Sequence, residues 1–106
     1  MITIDQFKTV ELRVATVVSA EPHPNADRLV VLRVDLGSEQ RQIVAGIRAT
    51  YDPATLVGRQ IVVVANLEPA VLRGIESQGM LLAANGEGGP VVVSPERLVP
   101  VGAVVR

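Results

Sequence analysis

IVVVANLEPAVLRGIESQGMLLAA, residues Ile61 to Ala84, decides how the rest of the chain is read. The stretch opens and closes on apolar runs that have the length and β-branched content of buried strands. Between those runs stand Asn66, Arg73, Ser77 and Gln78. Polar, hydrogen-bonding side chains held between two core strands imply a binding face rather than a catalytic pocket.

Working outward, the whole chain has the composition of one small domain spanning residues 1–106. Hydrophobic residues make up 48% of it, which excludes a disordered tail, and the excess is mostly valine. Phe7 and Tyr51 are the only aromatic residues, so bases could not be stacked on a row of rings. There is no cysteine and a single histidine, His23, which removes disulfides, thiolate chemistry and any multi-histidine metal site. No cofactor is expected. Nor is a membrane span, because no apolar run approaches the ~18 residues one needs. A soluble, cytoplasmic protein is the expectation.

Ten basic and eleven acidic residues give a formal charge of −1, and nine of the ten bases are arginine. Arginine presents a planar fork of donors suited to phosphate. With so even a balance, contact with nucleic acid would require a local patch, since phosphate neutralisation dominates that affinity.

Strand and turn signals run the length of the chain. Residues 2–9 predict a short N-terminal helix capped at Thr3 or Asp5 and anchored by Phe7. Val10 to Glu21 alternates, with Leu12, Val14, Thr16 and Val18 assigned to the core face and Arg13 to the outer one. EPHPNADR is a loop with a helical turn expected at Asn25 to Arg28. Leu29 to Leu36 and Arg41 to Ala45 form a hairpin around Gly37 to Glu39. Asp52-Pro53 opens a short helix through Leu56. Further strands are expected at Arg59 to Ala65, Leu72 to Ile75 and Met80 to Ala84, followed by a turn at Asn85 to Gly89. An end piece of short strands follows, with a turn of helix at Pro95 to Leu98. The implied class is all-β. The order, three strands, a short helix and two more strands, is that of a five-stranded Greek-key OB-fold barrel. A short N-terminal helix and a C-terminal β extension flank it, and a sandwich of similar size fits the pattern as well.

DQFKTVELRVATV, HPNADRLVVLRVDLG, RQIVAGI, YDPATLVGRQIVVVANL and LRGIESQGMLLAA together resemble the tRNA-binding domain found at the C-terminus of methionyl-tRNA synthetases. The same domain occurs in free-standing tRNA-binding proteins and in endothelial monocyte-activating polypeptide. The resemblance runs from about Ile4 to the C-terminus and is most specific in LRGIESQGM. It implies a non-enzymatic homodimer that binds the outer corner of tRNA by shape, phosphate and 2′-OH contacts. Such a chain would stand free or serve a synthetase catalytic domain. Carried over, the binding residues are Arg28, Arg33, Asn66, Arg73, Ser77, Gln78 and Met80. Arg73 and Arg33 would pair with phosphates, Asn66 and Ser77 would hydrogen-bond sugar or phosphate oxygens, and Met80 would support the platform.

One segment departs from the family pattern. Where relatives carry bases between the ANL strand and the LRG turn, this chain has Glu68-Pro69-Ala70-Val71. Fewer phosphate contacts imply weaker tRNA binding, assisted by a dimer or an attached domain. The competing expectations are a protein-interaction or chaperone-like OB module and a dimerisation domain with little RNA affinity. Alternative roles for single residues are an ion pair between Arg73 and Glu76 or Glu68, and for His23 a structural place in its loop. Val91 to Val105 is expected to cover the barrel or to form the dimer interface.

Overall fold

A computed structural model describes residues 1–106. A single helical turn, α1 (Ile4–Phe7), begins the chain, and Thr3 and Gln6 form a reciprocal capping box at its start. β1 (Leu12–Pro22), β2 (Val30–Asp35) and β3 (Gln40–Ala45) follow as an antiparallel meander. A 3₁₀ turn at Pro53–Leu56 is capped by the Asp52 carboxylate, which accepts from the Ala54 amide at 3.2 Å. β4 (Gln60–Val64) then returns to the other edge of β1. β5 (Ala70–Leu72) and β6 (Ile75–Ser77) make a separate hairpin, and β7 (Met80–Leu81) pairs with β4. A second hairpin, β8 (Ala83–Gly86) and β9 (Gly89–Val92), precedes the last strand, β10 (Val104–Val105), which adds to β1. The main sheet therefore runs β3-β2-β1-β4-β7.

β1 makes this geometry possible by serving two neighbourhoods. Its residues 12–16 pair with β4, residues 16–22 pair with β2, and the register slips between Val17 and Ser19. A bulge at that point bends and twists the strand, so the sheet curls toward closure. The seam left between β3 and β7 is shut by the residues linking β6 to β7. The Gln78 amide donates to the Gln42 carbonyl at 2.7 Å, and the Gln78 side-chain oxygen accepts from the Gln42 amide at 3.0 Å. One step along, Ser77 Oγ accepts from the Val44 amide at 2.9 Å and donates to the Gly79 carbonyl at 2.8 Å. The result is the expected OB-type barrel with its C-terminal β extension.

Inside lie thirteen aliphatic side chains, among them Leu32, Val34, Ile43, Ile47, Leu56, Ile61 and Val63. Tyr51 packs at the margin, and its hydroxyl accepts from the Val92 amide at 3.0 Å. The extension is sewn onto the barrel by further bonds, from the Val62 amide to the Val93 carbonyl and from the Gly102 amide to the Val14 carbonyl. Gly102 has φ +83, and a Cβ there would stand 2.3 Å from the Leu36 carbonyl oxygen, so only glycine allows this approach.

Several local expectations are corrected. In β1 the core cluster takes Ala15 and Val17, while Val18 is 43% exposed. Val14, Ala15, Val17 and Val18 are apolar on both faces of the strand, so alternation could not tell them apart. The single strand expected at Leu72 to Ile75 is instead the tip of a hairpin: Leu72 ends β5, Ile75 begins β6, and only Arg73-Gly74 form the turn. Residues 25–28 and 95–98 form turns and bends with no helix.

The seam gives a stability prediction. Ser77→Ala leaves the buried Val44 amide without its acceptor and is expected to cost about 1–3 kcal/mol. Urea denaturation of the two proteins measures it, and an unchanged midpoint would show that backbone pairing alone closes the barrel.

Candidate nucleic-acid interface

The β5–β6 hairpin turns on Arg73 and Gly74, with φ values of 52° and 88°. Two successive positive φ values match the twist of a two-residue hairpin, and Asn-Gly is the pairing that suits such a turn best. Arg73 is the chain's only non-glycine residue with positive φ. An arginine there carries a conformational cost with no compensating ion pair inside the chain, since it joins none of the three. The expected alternative of a pair with Glu76 or Glu68 is therefore not formed. Strain retained at an exposed charged residue is an observation that points outward, to a ligand.

Arg28 reaches the same place from a different loop. It shares with Arg73 a cleft of about 370 Å³ whose other walls are Ala26, Asp27 and Leu29. Arg28 is exposed and unpaired as well. A third arginine, Arg48, lies alongside: its backbone amide donates to the Arg28 carbonyl at 3.2 Å, and its side chain is exposed and unpaired. Sequence reading missed Arg48, because the backbone contact that joins loops twenty residues apart leaves no local pattern. The Asp27 carboxylate is the one acidic group lining the cleft.

Arg33 stands exposed on the outer face of β2, opposite Ser19 on one side and Gln42 on the other. The Gln42 side-chain amide in turn donates to the Glu76 carbonyl at 2.8 Å, so the hairpin begins one residue beyond Arg33's neighbour. Met80 is 48% exposed on β7.

The remaining expected contacts are placed differently. Ser77 is 4% exposed, and its hydroxyl both accepts and donates within the seam. The Gln78 side-chain oxygen serves the Gln42 amide. Asn66 lies away from the cleft and clamps the entry to β1, accepting from the Glu11 amide at 2.8 Å and donating to the Thr9 carbonyl at 2.7 Å. Ser77 Oγ, Gln78 Oε1 and both polar atoms of the Asn66 side chain thus serve the chain's own backbone. His23 is 5% exposed in the loop ahead of Arg28 and reaches the hairpin, where its Nε2 lies 3.0 Å from the Leu72 carbonyl.

The family model described as "Putative tRNA binding domain" matches residues 12–104. The chain belongs to the tRNA-binding domain family. It is 54% identical over 106 residues to the methionine–tRNA ligase of Methanothrix thermoacetophila, covering 100% of this chain and 16% of that one. The corresponding ligase of Bacillus subtilis is 52% identical over 105 residues, 99% of this chain and again 16% of the ligase. The chain therefore spans about one sixth of the length of these relatives.

Among solved structures, a MetRS-related protein from Pyrococcus horikoshii superposes with a TM-score of 0.93 at 37% identity. All of this chain and 98% of that one are covered. The chaperone CsaA of Bacillus anthracis superposes with a TM-score of 0.90 at 31% identity, covering 100% and 99%. The match to the ligases takes in the residues that match the tRNA-binding domain family.

The turn supplies a second prediction. Arg73→Asn places the favoured residue in the same geometry and is expected to raise stability by a few tenths to about 1 kcal/mol. Thermal or urea denaturation decides it, and a loss of stability would mean that Arg73 is held by contacts of its own.

Proposed function

We propose that residues 1–106 form one tRNA-binding module, acting in the cytoplasm, that recognises tRNA by shape and backbone contacts without performing catalysis. The observation that carries this reading is the meeting of Arg28 and Arg73 across one cleft, both without an acidic partner, in a member of the tRNA-binding domain family. Two forked guanidinium groups facing one opening suit consecutive or cross-strand phosphates of A-form RNA. Arg33 and Met80 extend the face along the barrel, and Arg48 adds a flanking charge. Asn66, Ser77 and Gln78 contribute by holding the strands that carry it.

The charge arrangement also sets the strength. Arg13, Arg41 and Arg97 are paired with Glu11, Glu39 and Glu96, so they add little to a phosphate-binding field. With a net charge of −1 and the acidic Glu68 segment, a single copy binds weakly, and a second contact raises its avidity. A homodimer supplies one. An apolar groove of about 570 Å³ runs between α1 and β10, lined by Ile4, Phe7, Val10, Leu12, Val104 and Val105, and supports self-association at that end. A synthetase catalytic domain on the same chain would supply another.

Filter binding of bulk tRNA tests the proposal. Arg73→Ala is expected to weaken binding several-fold and to reduce the slope of log K against log salt by about one. Absence of binding at low salt, or an Arg73→Ala protein with unaltered affinity and slope, would sink it. Light scattering of the same samples is expected to give twice the chain mass.

A second reading has one specific observation in its favour. The similarity to chaperone CsaA spans the whole chain, and apolar side chains such as Val71, Leu98 and Val104 are more than half exposed. A polypeptide-binding module would retain unfolded protein in a pull-down and ignore competing tRNA.

A further inference from the structure

The β5–β6 hairpin is two-stranded and lies outside the main sheet. Such hairpins are marginal alone and take their orientation from whatever ties them down. On the β6 side the ties are the seam bonds at Ser77 and the bond from Gln42 to Glu76. On the β5 side there is one, the hydrogen bond between His23 Nε2 and the Leu72 carbonyl. β5 receives no other hydrogen bond from outside its own hairpin.

The ring's protonation state follows from its two partners. Nδ1 accepts from the Asn25 amide at 3.0 Å, so it carries no proton, and Nε2 donates to the Leu72 carbonyl at 3.0 Å. One neutral imidazole therefore fastens the loop that leads to Arg28 to the residue that directly precedes Arg73. We propose that His23 is the positioning residue of the phosphate site, holding the Arg73 turn against the Arg28 loop across the cleft. The proposal rests on the tRNA-binding reading and deepens it. His23 itself is buried and acts through the turn it holds. Its contribution is to spare the complex the cost of ordering a mobile arginine turn on binding.

The two bonds can be separated chemically. An asparagine oxygen lies where Nδ1 does, and a glutamine amide nitrogen lies where Nε2 does. His23→Asn therefore keeps the loop's internal bond and loses the tie to Leu72, whereas His23→Gln keeps the tie. Filter binding of tRNA to the full chain between 50 and 200 mM salt would compare both variants with Arg73→Ala and with the His23→Asn/Arg73→Ala double variant. His23→Gln is expected within about twofold of the unaltered chain, and His23→Asn about three- to tenfold weaker with a salt slope shallower by about one. The double variant is expected to bind as Arg73→Ala does, within about twofold, because both changes remove the same contact. Full affinity in His23→Asn, an equal loss in His23→Gln, or losses that multiply in the double variant would each overturn the proposal.

Backbone ¹⁵N relaxation gives a readout independent of RNA. Order parameters at Arg73 and Gly74 are expected to fall from about 0.85 to below about 0.6 in His23→Asn and to stay high in His23→Gln. A turn equally rigid in both variants would refute the positioning role. If the unaltered chain fails to bind tRNA at low salt, the functional reading fails, while the relaxation measurement still decides whether His23 fixes the turn.

Discussion

Two side chains close this barrel where backbone pairing runs out. Between β3 and β7 the amides of Gln42 and Val44 face a gap, and they are met by the Gln78 side-chain oxygen and Ser77 Oγ. A buried amide without an acceptor is expensive, so these bonds are a condition for a closed wall. They also draw the β5–β6 hairpin against β3 and so determine where the Arg73 turn stands. The same few bonds thus serve stability and the geometry of the outer face.

With the wall closed, the interior needs no aromatic ring. Thirteen aliphatic side chains fill it, and β-branched valines keep the strands stiff around it. The surface charges are divided in a comparable way. Three of the nine arginines are tied to glutamates near them in sequence, while Arg28, Arg33, Arg48, Arg59, Arg73 and Arg106 stand unpaired. The one positive-φ residue that is not glycine is among those left free. A conformational cost maintained at a free cation is hard to account for by folding alone, since asparagine would make the turn more easily.

The contrast between Arg73 and Ser77 shows what a sequence motif leaves undecided. Both stand in LRGIESQGM, and both were expected on the binding face. The motif marks a place in the fold without saying which of its residues look outward. Burial separates them: Arg73 is exposed at the turn, and Ser77 is sealed in the seam. Asn66 and Gln78 follow Ser77, because a short polar side chain beside an interrupted strand satisfies the nearest backbone group. Arg48 escaped notice for the converse reason, standing in a plain loop that only a long-range backbone bond brings beside Arg28.

By itself the sequence determined the β class, the order of the first four strands, a short capped N-terminal helix, the Asp52 cap and the scarcity of aromatic rings for stacking. Each depends on local pattern or residue type, which a linear chain states directly. Tertiary structure alone decided which face of β1 points inward, since that strand is apolar on both sides and its bulge resets the alternation. It also decided which polar residues are consumed by the seam, and that His23 spans 49 residues of sequence to reach Leu72. Those outcomes depend on which backbone groups are left unpaired once the sheet has curled, and that is a property of the closed barrel.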